Sequence, residues 1–164
     1  MIAPDSATAV RGSRLELAFG AQRVYLVLGS RGGAPRPVRV SLDGGLKEQS
    51  WFVFEFVELK AIMRALCGEI DHLVLLPLKS DRVRVVEDGE SVSVSVDGKP
   101  RYVFPRKDCA LLPIPNTTVE MLAQLLTERL QHELQTMGAQ NLSAIEMEVE
   151  ENFGQSAVYR LTLG

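Results

Sequence analysis

Glu151 is the acid whose surroundings suit it least. In Ile145-Glu146-Met147-Glu148-Val149-Glu150-Glu151 the side chains alternate apolar and acidic. On a strand, Glu146, Glu148 and Glu150 then share one face, and Glu151 falls on the other with Met147 and Val149. A carboxylate on an apolar face calls for a partner. A ligand with two adjacent N–H donors is one, because the two carboxylate oxygens accept them in a fork. A solvated acidic run is the alternative. Asp71-His72 is the second group. Imidazole titrates near neutrality and suits proton transfer, with a carboxylate beside it as support. A histidine favoured by the dipole at a helix C-terminus reads equally well. Thr118 and Glu120 form a third group; helix capping accounts for them, and a ligand contact from the cap is compatible with it. Arg23, Arg31, Arg36 and Arg39 form a fourth, suited to a carboxylate or phosphate tail or to a solvated loop.

Other chemistries lose their signals. There are two cysteines, Cys67 and Cys109, each among apolar residues and read as small core hydrophobes. There are two histidines, and His132 lies between Gln131 and Glu133 on a helix surface. No CxxC, HxH or HExxH is present, so the usual tetrahedral zinc sites are not expected. GxGxxG, the P-loop and GxSxG are absent too. A net charge of −3 argues against a nucleic-acid partner. No apolar run reaches the roughly 18 residues of a membrane helix. The N-terminus lacks the apolar core of a secretory signal, so the expected compartment is the cytoplasm.

The elements that position these groups follow from periodicity. With 164 residues, 46% hydrophobic and 24% charged, the chain is one domain's worth and buries about 70% of its unfolded surface. Residues 1–12 read as a loose end. Residues 14–19 and 24–28 read as one long strand with a bulge near Gly20, and Val38, Val40 and Leu42 pair back as a hairpin. Phe52, Phe54 and Phe56 resume the alternation. Leu59, Ile62, Met63, Leu66, Cys67 and Ile70 then mark an amphipathic helix ending near Asp71-His72. Residues 79–105 alternate around Asp88-Gly89 and Asp97-Gly98, the signature of an inserted three-stranded meander. Thr117 and Glu120 make a capping-box pattern for a long helix over Val119 to Met137, with Gly138 as its C-terminal cap. Ile145 to Val149 and Tyr159 to Leu163 complete the strands. The fold class is α+β: a four-stranded antiparallel sheet with two helices on one face. The open face and edges predict an assembly rather than a monomer.

This order, with four local strings, resembles the 6-pyruvoyltetrahydropterin synthase family, which includes 6-carboxytetrahydropterin synthase. Residues 51–60, Trp51-Phe52-Val53-Phe54-Glu55-Phe56-Val57-Glu58-Leu59-Lys60, resemble the family's GxVxDFxxLK, with Trp51 for glycine and Glu55 for aspartate. Glu69-Ile70-Asp71-His72 resembles its LDH segment. Residues 116–123 resemble NPTxENLA, with Thr117 for proline. Val149-Glu150-Glu151-Asn152 followed by Tyr159 resembles VxET…Y. The resemblance covers roughly residues 14–164 with the meander set aside. It implies a T-fold, ring assembly as a trimer or hexamer, and pterin sites between subunits. It further implies Glu151 as pterin anchor, His72 with Asp71 as the proton-moving pair, and substrate contacts from Thr118, Glu120 and Arg23.

The departures fall at the family's zinc. Phe19-Gly20-Ala21-Gln22-Arg23 stands where the family has FxAxH, placing Arg23 at a ligand position, and residues 32–40 stand where it has HGHxYxVxV. A guanidinium stays protonated and does not ligate zinc. No metal and no cofactor are therefore expected, and two functions compete. One is a zinc-independent lyase or aldolase acting on a dihydroneopterin-type substrate. The other is a non-catalytic paralogue serving as a structural or partner subunit, with or without a pterin or purine-like ligand. A plain interaction module built on the meander is a third reading.

Overall fold

A computed structural model describes residues 9–10, 13–14, 23–28, 38–47, 52–152 and 155–164. Two short strands, β1 (Ala9–Val10) and β2 (Ser13–Arg14), pair with each other. The expected loose end therefore closes on a two-residue ladder. β3 (Arg23–Leu28) and β4 (Val38–Gly44) form the expected antiparallel pair. The expected bulge at Gly20 lies outside the described residues. Next come α1 (Phe56–Gly68), β5 (Val74–Pro77), β6 (Val83–Asp88), β7 (Ser91–Val96), β8 (Lys99–Pro105), a 3-10 turn and β9 (Cys109–Leu112). α2 (Val119–Thr136), β10 (Leu142–Asn152) and β11 (Gln155–Thr162) finish the chain.

The main sheet is four-stranded and antiparallel, in the order β11-β10-β4-β3. Its register sets Met147 opposite Val40 and Ile145 opposite Leu42, so these apolar side chains point to one face. Both helices lie on that face. Leu59, Met63 and Leu66 of α1 meet Ala123, Leu126, Leu130 and Leu134 of α2 over Val40, Leu42, Ile145, Met147 and Val149. Each such leucine side chain taken out of water contributes about 2 kcal/mol. The opposite face is charged, as the alternation requires. Arg39 reaches Glu148 at 2.8 Å and Glu150 at 3.2 Å, and Arg160 reaches Asp43 at 2.6 Å and Glu146 at 3.1 Å. Arg39 thus belongs to a strand and its ion pairs, not to a basic loop.

Three local readings change. Residues 52–55 are not a strand: Val53 and Phe54 are neighbours in sequence and both buried, while Phe52 is exposed. Alternation fails there because the backbone is bent and held from the side, with Asn141 Nδ2 donating to the Val53 carbonyl at 2.7 Å. The cap of α2 is Thr118 rather than Thr117, so the Thr-x-x-Glu box does not form. The Thr117 N–H instead binds the Asn116 side chain at 2.8 Å. At the other end Gly138 takes φ +72, with its N–H on Gln135 O and the Ala139 N–H on Leu134 O, closing the helix as the sequence predicts.

The meander forms as expected, in the order β6-β7-β8. Asp97 and Gly98 both take positive φ, as a type I′ turn needs. The other turn differs: Asp88 pairs with Ser91, so Gly89 and Glu90 are its central residues and only Gly89 has positive φ. Val92 and Val94 of β7 pack with Leu76 and Cys109, which seats the meander on a pair absent from the sequence reading. That pair is β5 with β9, and it is parallel.

Candidate functional site

Topology brings three of the sequence-predicted groups to one end of the helix–sheet layer. A short turn, closed by Gly138, joins α2 to β10, so α2 begins where β10 ends. Asn141, just before β10, bonds to Val53, just before α1. α1 therefore starts beside the start of β10, and the segment after it emerges toward the far end. Asp71-His72 after α1, Thr118-Glu120 before α2 and Glu151 at the close of β10 share that end. A second apolar cluster ties the first two together. Ile70 and Leu73, on either side of Asp71-His72, pack with Met121, Leu122, Leu112 and Ile114.

His72 Nδ1 lies 2.9 Å from Asp71 Oδ1. Adjacent side chains seldom meet this way, and the backbone shows how they do here: His72 has φ +59. A side chain in the left-handed region costs about 1–2 kcal/mol, so the surroundings must hold it there. Those surroundings are visible. The Glu69 N–H returns to Ala65 O and the Ile70 N–H to Cys67 O, winding the chain past the end of α1. Ile70 joins both apolar clusters. Arg129 of α2 pairs with Glu69. The imidazole itself is open, at 77% exposure, and available to a ligand.

Glu120 is held as an anion. Its own backbone N–H and then the Thr118 hydroxyl bind the carboxylate and keep it below the usual carboxylate range. This is a carboxylate at the positive end of a helix with Thr118 as its side-chain partner, Thr118 making no side-chain cap bond of its own, and it accounts for both residues without a ligand. Glu151 is exposed and sits at a bulge: Glu150 pairs with Ser156 and Asn152 with Gln155, leaving Glu151 without a cross-strand partner. The bulge ends the strict alternation from which its face was read. Arg23 is placed elsewhere. Its Cα pairs with Asp43, which pairs with Ala144 near the start of β10. That is about 20 Å along the sheet from Glu151, so one protomer does not bring Arg23 to this end. Arg31 and Arg36 lie outside the described residues.

The residues that could bind a metal do not make the family's zinc set. The chain has two histidines. His72 lies at the start-of-α2 end and His132 in the last turns of α2, so they do not share an ion within one chain. Among the described residues no three of His, Cys, Asp and Glu cluster. Cys67, close to Asp71 in charge terms, is half-buried, and burial first and Asp71 second push its thiol up to about 11. It is a neutral thiol there. The signal sequence reasoning missed is Glu69, read only as part of a motif; its offset from Arg129 becomes a contact only once α1 and α2 are packed.

Comparison with known proteins agrees with this architecture. The profile of the 6-pyruvoyl tetrahydropterin synthase family matches residues 33–162. A Methanocaldococcus jannaschii protein provisionally named 6-carboxy-5,6,7,8-tetrahydropterin synthase is 33% identical over 123 residues, 75% of each chain. The crystal structure of 6-pyruvoyl tetrahydropterin synthase from Plasmodium vivax superposes with a TM-score of 0.73 at 22% identity, over 87% of this chain and 99% of that one. The Plasmodium falciparum enzyme gives 0.73 at 20% identity, with the same coverage. The two helices over a four-stranded antiparallel sheet are thus the T-fold, and with a profile that spans most of the sequence this chain belongs to the 6-pyruvoyl tetrahydropterin synthase family.

Proposed function

We propose that the chain binds a reduced pterin at the end of the layer that Glu151, Asp71-His72 and Thr118-Glu120 share by topology, and that it works there without a three-histidine zinc centre. The observation that carries this reading is the Asp71–His72 contact, 2.9 Å, on a histidine held at positive φ beside the α2 cap. Strain of this kind persists where the surroundings impose it, and such places are commonly functional. The two histidines of the chain fall short of three imidazoles, so no step is assigned to a metal.

The chemistry follows from the groups present. Glu151 accepts two N–H donors from the pterin edge in a fork. Asp71 takes the Nδ1–H of His72 and leaves Nε2 to face the ligand. A dihydroneopterin-type side chain suits such a pair. The imidazole removes a hydroxyl proton, that oxygen becomes a carbonyl as the adjoining carbon–carbon bond breaks, the fragment leaves as an aldehyde, and the electron pair of the broken bond passes into the ring system. A proton returned to the ring-side carbon completes a retro-aldol cleavage. β11 is an edge of the main sheet, and pairing there with another protomer as trimer or hexamer would close the exposed site.

A non-catalytic family member is the second reading. It is favoured by Thr118 and Glu120, which bind each other at the start of α2 and need no ligand. The test is incubation with a panel of dihydropterins, with and without chelator. Turnover that survives chelation and disappears in Glu151→Ala supports the enzyme. Tight binding without turnover supports the second reading, and no binding of any pterin overturns the first.

A further inference from the structure

We propose that Arg129, on the outer flank of α2, is a positioning residue for His72: through Glu69 it holds the turn that keeps the imidazole against Asp71. This deepens the reading of His72 as the proton-moving group and rests on it. The two ends of the device are on different helices. Arg129 Nη1 donates to Glu69 Oε2, and Glu69 is the residue that caps α1, two positions before Asp71. Two backbone hydrogen bonds, Glu69 N–H to Ala65 O and Ile70 N–H to Cys67 O, wind the turn as far as Ile70, and beyond Ile70 little fixes it laterally. Asp71 and His72 are exposed, and no other side-chain hydrogen bond reaches residues 69–72 among those described. Ile70 is seated in the apolar clusters and sets the depth of the turn, but an apolar contact is non-directional and does not fix its rotation. The guanidinium does, because its N–H groups are rigid and planar. With the turn fixed, His72 stays at φ +59, the conformation in which Nδ1 reaches Asp71.

The pair is partly exposed, at 29% for Arg129 and 56% for Glu69, and exposed pairs add little to global stability. Loss of the pair should therefore loosen the turn and leave the fold standing, which separates positioning from packing. The two histidines permit a direct readout, with His132 as internal reference. Nitrogen-15 shifts, read through the ring carbon-bound protons above neutral pH, report which ring nitrogen carries the proton. The native protein is expected to hold His72 as the Nδ1–H form imposed by Asp71. In Arg129→Met, which keeps an unbranched stem on α2, His72 should relax to the mixture shown by His132. Arg129→Lys should restore the native signature in part, and the exchanged pair Arg129→Glu with Glu69→Arg more fully. A native His72 signature in Arg129→Met overturns the proposal, as does failure of both restoring variants. The readout uses no substrate, so a protein that turns over no pterin leaves this result intact, and a failed tether leaves the pterin reading to its own test.

Discussion

Gly44 and Asn141 approach so closely that a Cβ on Gly44 would lie 2.4 Å from the Asn141 carbonyl oxygen and 2.9 Å from Leu142 Cα. The same asparagine closes the junction with its side chain, donating from Nδ2 to Gly45 O and to Val53 O at 2.7 Å each. The Gly45 N–H returns to Asn141 O at 2.8 Å. One residue thus joins the end of β4, the approach to α1 and the start of β10.

Gly44→Ala should destabilise the protein by about 1–3 kcal/mol, since backbone rather than a flexible side chain must move. Asn141→Ala should cost a similar amount by leaving the Val53 carbonyl unpaired. Urea unfolding monitored by circular dichroism measures both. Wild-type midpoints for the two variants would show that the junction is not under strain.

His72→Gly separates stability from function. Glycine adopts positive φ freely, so the variant should be as stable as the native protein or up to about 1 kcal/mol more so. Pterin turnover, where present, should disappear. A loss of more than about 1 kcal/mol on thermal unfolding would show that the imidazole contributes packing instead.

The fold was legible wherever one side of an element is buried. Leu122, Leu126, Leu130 and Leu134 recur at helical spacing and all face the core. Illegible parts have physical reasons. Val74 to Pro77 is too short to show a period, so the parallel pair β5–β9 left no trace. Phe52, Phe54 and Phe56 mimic a strand by spacing alone. The face of Glu151 followed from alternation that a bulge interrupts two residues earlier than the motif ends. Asp71 and His72 were legible as types, but their contact depends on a backbone φ that no composition reveals.

Asp97 and Glu120 should each titrate below the ordinary carboxylate range. The Arg82 side chain hydrogen-bonds Asp97, and the backbone N–H and Thr118 bind Glu120. Both folded-state values are depressed, so their stabilising contribution is complete above the unfolded carboxylate value and is lost as pH falls through the folded one. Arg82→Ala and Thr118→Val should each raise the corresponding value in a carbon-13 NMR titration. An unmoved titration in either variant refutes that attribution.

Cys67 should resist alkylation in the folded protein. Its thiol is pushed up to about 11, so iodoacetamide at pH 8 finds almost no thiolate. Cys109, at 4% exposure, is shielded by position. Intact mass should show no adduct at pH 8 and two after urea. A prompt single adduct on Cys67 in native buffer would contradict the burial described.

The parallel sense of β5 and β9 has a consequence for chain editing. Pro77 leaves beside Leu112, not beside Cys109, so the outgoing and returning ends are offset by three residues along the pair, roughly 10 Å. A hairpin excursion can be cut away and its stumps ligated; this one cannot, because a bridge must run back the whole length of the pair. Any version of the chain without the meander must either supply that bridge or surrender the pair, and it would also uncover Leu76 and Cys109, which Val92 and Val94 cover here.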